Sequence, residues 1–432
     1  MCILNPIVSV ILTSYNKPST VGKAIESVLS QTLQNFELWI MDDHSSSETK
    51  AILQRYVSDK RVHLVDSGIA DHLRYQTTRY ATLINEALPR TKGKYITYLT
   101  DDNLFKSTRF KRMVNVLESR PSTEVVYSKQ QVIHLDEHGS VTKKFIRHTN
   151  GKLRNPVGLV DHCSIMHTRG IAEKVFHRFG SYWDDGPENW YNGDAAFWKR
   201  LTNFTLFHPI PEILDVAYKD TQSFQHLYQF IPEDIPTGVI IQTPSSELYR
   251  VENGTRRLIS PEIMQDLHYN QNKIVVVPAP FLFKYPEGAP INRSVFTNSS
   301  TFPDMHLIKS ASSPTVYMYQ KGKKHPLPNE EVFYEFHFNW NEIVNVSDHL
   351  LLTIPTGAPI TSLHQGVSIL PDGVLFRHHQ QYYVSNQQAL CPIHAQVAER
   401  LHYPTGHSVV LSTHQISSIP IGEEIRWNVS FR

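Results

Sequence analysis

Asp101 and Asp102 stand side by side at the end of Tyr95-Ile-Thr-Tyr-Leu-Thr-Asp-Asp-Asn103, where β-branched and aromatic residues alternate as in a strand. A strand delivers its C-terminal end to the mouth of an α/β sheet, where ligands bind. Two adjacent carboxylates repel each other and are costly to dehydrate. A hard cation removes that cost, and Mg²⁺ or Mn²⁺ bridged to a phosphate suits one or two carboxylates. The chemistry indicated is a metal–diphosphate site. The alternative is an acidic first turn for the helix expected over Arg109–Ser119.

Other polar residues fall at the ends of other strands. Pro6–Asn16 reads as a buried strand running into Thr13 and Tyr15, and Phe36–Met41 as a second strand running into Asp42 and Asp43. Val62–Val65 is a third strand, and the Tyr95 stretch is the fourth. Helices are expected near Val21–Ser30, capped by Ser19 or Thr20, near Glu48–Tyr56 and over Thr78–Ala87. Strands alternating with helices at this spacing predict a parallel, doubly wound α/β sheet with a nucleotide pocket at its carboxyl edge. No Gly-x-Gly-x-x-Gly and no Gly-Lys-Ser/Thr loop follows the first strand, so a metal on the acids is the natural substitute for a glycine turn. The same absence argues against a sugar nucleotidyltransferase.

Val8–Asn16, Met41–Ser45, Thr78-Arg-Tyr-Ala81, Thr100–Asn103 and Asp161-His-Cys-Ser-Ile-Met166 together resemble family 2 inverting glycosyltransferases of the GT-A fold. The likeness runs from Pro6 to about Phe224 and includes the spore-coat polysaccharide and spore maturation enzymes of Bacillus. It implies a doubly wound mixed sheet. It also implies that Thr13, Tyr15 and Asp43 hold a pyrimidine base, with Tyr15 stacked on the ring. Arg74, and Lys17 just past Tyr15, would approach the base or phosphates. Asp101 would bind the ribose and Asp102 the Mn²⁺ or Mg²⁺ ion. The donor would be a UDP- or dTDP-sugar and the acceptor a glycan or protein hydroxyl. Asn103 replaces the third acid of the usual triplet. Each residue also has a plainer reading: strand-end packing for Tyr15, a helix cap for Asp43, a solvated loop cation for Arg74.

Direct displacement at an anomeric carbon needs a base opposite the leaving diphosphate. Asp194 and Asp161 are the candidates. Gly193-Asp194 reads as the entry to a helix reaching about Leu201, which would keep the carboxylate ionised. In the family resemblance this Gly-Asp position matches the base, and Asp161 is read as a sugar contact. His162 is read as a structural residue or metal ligand, and Cys163 as a small core residue. Tyr182, Trp183, Trp190, Tyr191 and Trp198 suggest an acceptor groove or an ordinary core. Phe197-Trp-Lys-Arg-Leu-Thr does not match the Gln-x-x-Arg-Trp of processive synthases, which points to single addition.

Beyond a Pro-containing linker over Ile231–Thr237 the chain repeats itself. Tyr285-Pro-Glu-Gly-Ala-Pro-Ile291 recurs as Ile354-Pro-Thr-Gly-Ala-Pro-Ile360 and weakly as Ile419-Pro-Ile-Gly-Glu-Glu-Ile425, at steps of 69 and 65 positions. Hairpins are expected over Leu248–Ile259 and Val316–Leu327, short helices near Pro261–Leu267 and Glu330–Phe336, and strands at Ile274–Val277 and Ile343–Val346. The expected layout is a transferase domain over 1–230 and a repeat domain over 237–432, in modules of about 237–300, 301–365 and 366–432. The modules carry no paired acids or nucleophile–base set, so self-association or surface attachment is their expected use.

A formal net charge of +1 leaves no broad basic surface for nucleic acid, and the apolar runs are too short to span a bilayer. Three scattered cysteines, Cys2, Cys163 and Cys391, suit a reducing compartment, and the N-terminus lacks the features of a signal peptide. The expected location is cytoplasmic or spore-associated. The rival to an enzyme is an inert transferase-like protein serving as a structural or binding component of a spore or envelope layer.

Overall fold

The apolar run from Val8 forms strand β1 (Val8–Ser14), buried along its whole length. The structure, a computed structural model, describes residues 5–244, 247–366 and 369–427. After β1 come α1 (Val21–Leu29), β2 (Phe36–Asp42), α2 (Ser47–Gln54), β3 (Val62–Asp66), α3 (Arg79–Ala87) and β4 (Tyr95–Thr100). β1 lies between β2 and β4, and β2 carries β3 on its far side, all in parallel. Alternate residues of β1 feed opposite cores: Val10 and Leu12 join Ile25, Leu38 and Phe110, while Ile11 joins Ile84, Ile96 and Tyr98. Both faces are covered, as a parallel strand requires.

The parallel expectation fails beyond β4. β5 (Asn103–Phe105), α4 (Arg109–Ser119), β6 (Val125–Leu135), β7 (Val141–Arg147), β8 (Ile165–Thr168), α5 (Arg169–Phe179), α6 (Gly193–Leu201) and β9 (Phe207–Lys219) follow. β8 runs antiparallel between β4 and β6, β5 antiparallel to β9, and β6 parallel to β9. A parallel neighbour needs a crossover element. β8 is entered instead from a single 3-10 turn, His162–Ser164. Among the described residues the result is one mixed nine-stranded sheet, ordered β3-β2-β1-β4-β8-β6-β9-β5 with β7 on β6. Thr20 sits at the N-cap of α1 without a side-chain hydrogen bond. Trp183 and Trp198 are fully buried in the core with Tyr98 and Phe197, so these two belong to packing and not to an acceptor groove.

The chain divides into two compact units, Met1–His226 and Leu227–Arg432. Ile231 and Ile235, in the segment expected as a linker, are buried in a core of the second unit. In that unit the described residues form three four-stranded sheets. Their strands are β10–β13 (Ile240–Gln242, Leu248–Glu252, Thr255–Leu258, Val275–Val276), β14–β17 (His306–Ser310, Tyr317–Gln320, Lys323–Pro326, Ile343–Val346) and β18–β21 (Leu375–His378, Gln381–Asn386, Ala389–Ile393, Val409–Val410). Each sheet has the order third, second, first, fourth strand. The Asn253-Gly254 and Lys321-Gly322 turns take positive φ at both residues, as two-residue hairpins demand. The Pro-x-Gly segments each pair beside a third strand, through Arg256 with Glu287, Lys324 with Thr356, and Leu390 with Ile421. A Cβ on Gly288, Gly357 or Gly422 would meet Thr255, His325 or Cys391 at 2.7, 2.3 and 2.8 Å, so glycine there is a matter of close approach.

Candidate functional site

Thr13, on β1, faces Met41 of β2 and Thr100 of β4 in register, so three strand ends finish level. Past them the chain folds Tyr15, Asp43 and Asp101 together. The Tyr15 N–H donates to Asp101 Oδ2 at 2.8 Å, and the Asp43 N–H donates to the Ser14 carbonyl. Asp43 is buried, and it caps no helix, since α2 starts at Ser47 with Ser46 at its N-cap position. Arg74 Nη1 reaches Asp43 Oδ2 at 2.6 Å and Arg79 Nη2 reaches Oδ1 at 2.8 Å. Arg74 is buried as well, with Nε on Asp71, and its guanidinium lies over the Tyr15 ring at 4.2 Å. Lys17 is 3.5 Å from Asp220.

Asp101 and Asp102 occupy the turn between β4 and β5; α4 begins at Arg109 with Thr108 at its N-cap position, so the acids lie outside that helix's first turn. Burial, and then the charge of Asp102, push the Asp101 carboxyl up to about 7. Asp102 is half-buried and accepts from Thr100 Oγ1 at 2.7 Å. Asn103 is buried, donates Nδ2 to Cys163 Sγ at 3.1 Å, and leaves Oδ1 without a partner. Two repelling carboxylates, followed in the chain by an amide oxygen without a partner, are oxygen donors of the kind a hard divalent cation takes.

The Cys163 contact joins this turn to the next one. Asp161 accepts the Cys163 N–H at 3.0 Å and lies 3.4 Å from Arg147. Burial works to raise its carboxyl, but His162, Lys219 and Arg147 outweigh it and hold Asp161 well below the usual carboxylate range. His162 is stacked on Tyr80 at 6.2 Å. Burial works to lower its imidazole, while Cys163, Asp161 and Asp194 together lift it to about 10. Asp194, the second residue of α6, is half-buried; burial raises its carboxyl against the opposing pull of His162. The Tyr80 hydroxyl accepts the Gly193 N–H at 2.9 Å, and a Cβ on Gly193 would meet that oxygen at 2.3 Å. The glycine before Asp194 is therefore needed for the tyrosine to hold the start of α6. Ligand atoms of Asp161, His162 and Cys163 lie within 4.8 Å of one another, but Asp161 and Cys163 are already committed as described.

All nine residues singled out in the sequence lie in the first unit. Contacts join Tyr15, Asp43, Arg74 and Asp101 in one group, while Asp161 and Asp194 face a common His162. Sequence reasoning missed Arg79 and Tyr80, although both stand in the Thr78–Ala81 stretch that helped carry the resemblance.

Acids at level strand ends on the carboxyl edge of a mixed sheet stand where α/β folds bind their ligands. The profile described as "Glycosyl transferase family 2" matches residues 9–178. Protein CgeD of Bacillus subtilis (strain 168) is 38% identical over 419 residues, spanning 96% of this chain and 95% of that one. The chain belongs to glycosyltransferase family 2 and has its GT-A fold. It is also 28% identical over 140 residues to UDP-Glc:alpha-D-GlcNAc-diphosphoundecaprenol beta-1,3-glucosyltransferase WfgD of Escherichia coli, 32% of this chain and 51% of that one. The crystal structure of S. aureus TarS 1-349 aligns with a TM-score of 0.38 at 13% identity, over 49% of this chain and 60% of that one.

Proposed function

We propose that the first unit is a metal-dependent, inverting, non-processive glycosyltransferase that moves a sugar from a UDP- or dTDP-sugar to a hydroxyl of a glycan or protein. The observation that carries this reading is the Asn103–Cys163 contact. It sets the turn of Asp101 and Asp102 against the turn of Asp161 and His162, which in turn faces Asp194. A donor half and a base half thus adjoin.

In this reading Thr13, Tyr15 and Asp43 receive the base, with Arg74 and Arg79 fixing the Asp43 carboxylate. Lys17 lies on the phosphate side. Asp101 takes the ribose. Asp102, with Asn103 Oδ1 beside it, would hold Mn²⁺ or Mg²⁺, which neutralises charge on the leaving diphosphate. Asp194 accepts the proton of the acceptor hydroxyl, and its raised carboxyl is a better base than a free one. Asp161 stays ionised and contacts the sugar. The UDP-glucose in the name of the WfgD relative supports a uridine donor.

The second unit is read as three tandem modules over 237–300, 301–365 and 366–432, supported by three sheets of one strand order. Its use would be attachment to a spore or envelope surface, or self-association, and the location cytoplasmic or spore-associated.

Thermal shift with UDP and dTDP tests the site. Either nucleotide should stabilise the protein more with Mn²⁺ or Mg²⁺ than without, and Asp102→Ala should lose that increment. Asp194→Asn should keep nucleotide binding and lose donor turnover by roughly 10²–10⁴-fold. A mild Asp194→Asn with a crippled Asp161→Asn would exchange the two roles. No metal-dependent hydrolysis of any nucleotide-sugar would favour the inert, structural protein.

A further inference from the structure

Trp340 and Tyr334 of the second unit are 44% and 55% exposed, yet neither is loose. One face of Trp340 stacks on the buried Phe333 at 4.2 Å with 24° between planes, and its Nε1 donates to the Tyr334 hydroxyl at 3.0 Å. The two rings meet at 67° with centroids 6.4 Å apart and form an angled aromatic platform, in which Trp340 is held at two points. Core packing does not require it. One module earlier, 69 positions back, the same places hold Gln265 and Gln271; one module later, 65 positions on, they hold Glu399 and Thr405.

The residues on either side of Trp340 are Asn339 and Asn341. Both line a cavity of about 440 Å³, together with Gln265, Asn270, Gln271 and Glu342. That volume is within the roughly 300–1,000 Å³ of small-ligand pockets. Asn339 and Asn270 each accept a backbone N–H two residues on, which fixes the side chain through Oδ1 and leaves Nδ2 uncommitted. The carboxylate of Glu342 is balanced by Lys273 at 3.2 Å. Apart from Met264, His268 and Tyr269, the lining is made of amides and this one paired carboxylate. Amides both donate and accept, as sugar hydroxyls do. An aromatic face receives the apolar C–H face of a pyranose. A phosphate or uronate would find no lysine or arginine in this lining. A larger trough of about 1160 Å³ shares Met264, Gln265 and Gln271 with this cavity and lengthens the surface.

We propose that the Tyr334–Trp340 platform and the amide-lined cavity beside it form a binding site for a neutral oligosaccharide, separate from the transferase centre.

Calorimetry of the full-length chain without nucleotide tests this. The probes are neutral gluco-, galacto-, rhamno- and N-acetylglucosamine oligosaccharides of four to six units, with alginate and heparin fragments as acidic controls. A neutral probe should bind, and Trp340→Ala, Tyr334→Ala and Asn341→Ala should each weaken it at least tenfold. The UDP thermal shift and the circular dichroism should stay unchanged. Tyr334→Ala removes an exposed ring and the hydroxyl that accepts from Trp340, but leaves the Trp340–Phe333 stack, so it reports even if Trp340→Ala disturbs the fold. The proposal is overturned if no neutral probe binds at millimolar concentration, if binding ignores all three variants, or if the acidic fragments bind more tightly. It is equally overturned if Tyr334→Ala lowers the molecular mass in solution, because the platform would then join two copies of the chain.

Discussion

Asp101, in the group of residues at the strand ends, carries a marked pH dependence. Its carboxyl is raised from 3.8 to about 7, first by burial and then by Asp102. A folded-state value above the unfolded one means that the protonated form stabilises the fold. That stability is complete below about pH 4 and is lost as pH rises through 7. Asp101→Asn keeps an acceptor for the Tyr15 N–H but cannot ionise. The metal-free variant should gain on the parent between pH 4 and 7, by a margin on the order of a few kcal/mol, and hold that margin above. Melting temperatures across that range decide it; a constant difference would mean that Asp101 titrates normally. Asp101 and Asp43 were legible because each ends a recognisable strand. Arg79 was not, since its link to Asp43 spans 36 positions and depends on how α3 is placed. His162 was visible as a residue but not as a neighbour of Asp194, because the turn that brings them together follows from the antiparallel entry of β8.

The first four strands could be read from their apolar and β-branched runs, and the register β3-β2-β1-β4 then brings Thr13, Asp43 and Asp101 to one edge. β6 and β9 could not. β9 holds two prolines and β6 holds Ser128, Lys129 and Gln130, so neither shows a clean period. What secures them is a buried pair. Arg109, first residue of α4, meets Asp215 of β9 at 2.9 Å, both fully buried. Ser128 and Gln130 of β6 and Ser164 from the turn before β8 also donate to Asp215. Burial raises the Asp215 carboxyl, and the Arg109 guanidinium opposes that rise. Removing one partner strands a charge, which typically costs about 3–5 kcal/mol. Asp215→Asn should lower unfolding free energy by that order in urea titration at pH 7.5. A loss below about 1 kcal/mol, the scale of an exposed pair, would show that the pair does not hold these elements together. In the second unit, the opening strands β10, β14 and β18 went unread: they run three to five residues, too short for a period to show.

At the scale of the molecule, the recurrence of Pro-x-Gly-x-Pro-Ile was visible, but the way the recurrent parts share cores was not. One core takes residues from the first and second sheets' segments, such as Ile263 and Leu350. Another takes Phe333 and Phe376 from the second and third. The remaining one takes Val251 and Val384 from the first and third. Each segment thus contributes to two cores, and the first and last in sequence are also partners. An open stack would tolerate loss of an end segment with only local damage. Here loss of the last one uncovers both of its neighbours. A chain ending at residue 365 should therefore melt without cooperativity or precipitate. A chain ending at His226 should melt cooperatively and still bind UDP with Mn²⁺, since its cores draw only on residues before that point. Ending at Asp234 is worse than ending at His226, because it leaves Ile231 exposed without its core. The longer of these two chains is thus expected to be the less stable one. Differential scanning calorimetry of the two chains beside the full-length protein decides the matter. If the 365-residue chain keeps the second unit's transition, the three segments do not depend on one another in the way their shared cores require.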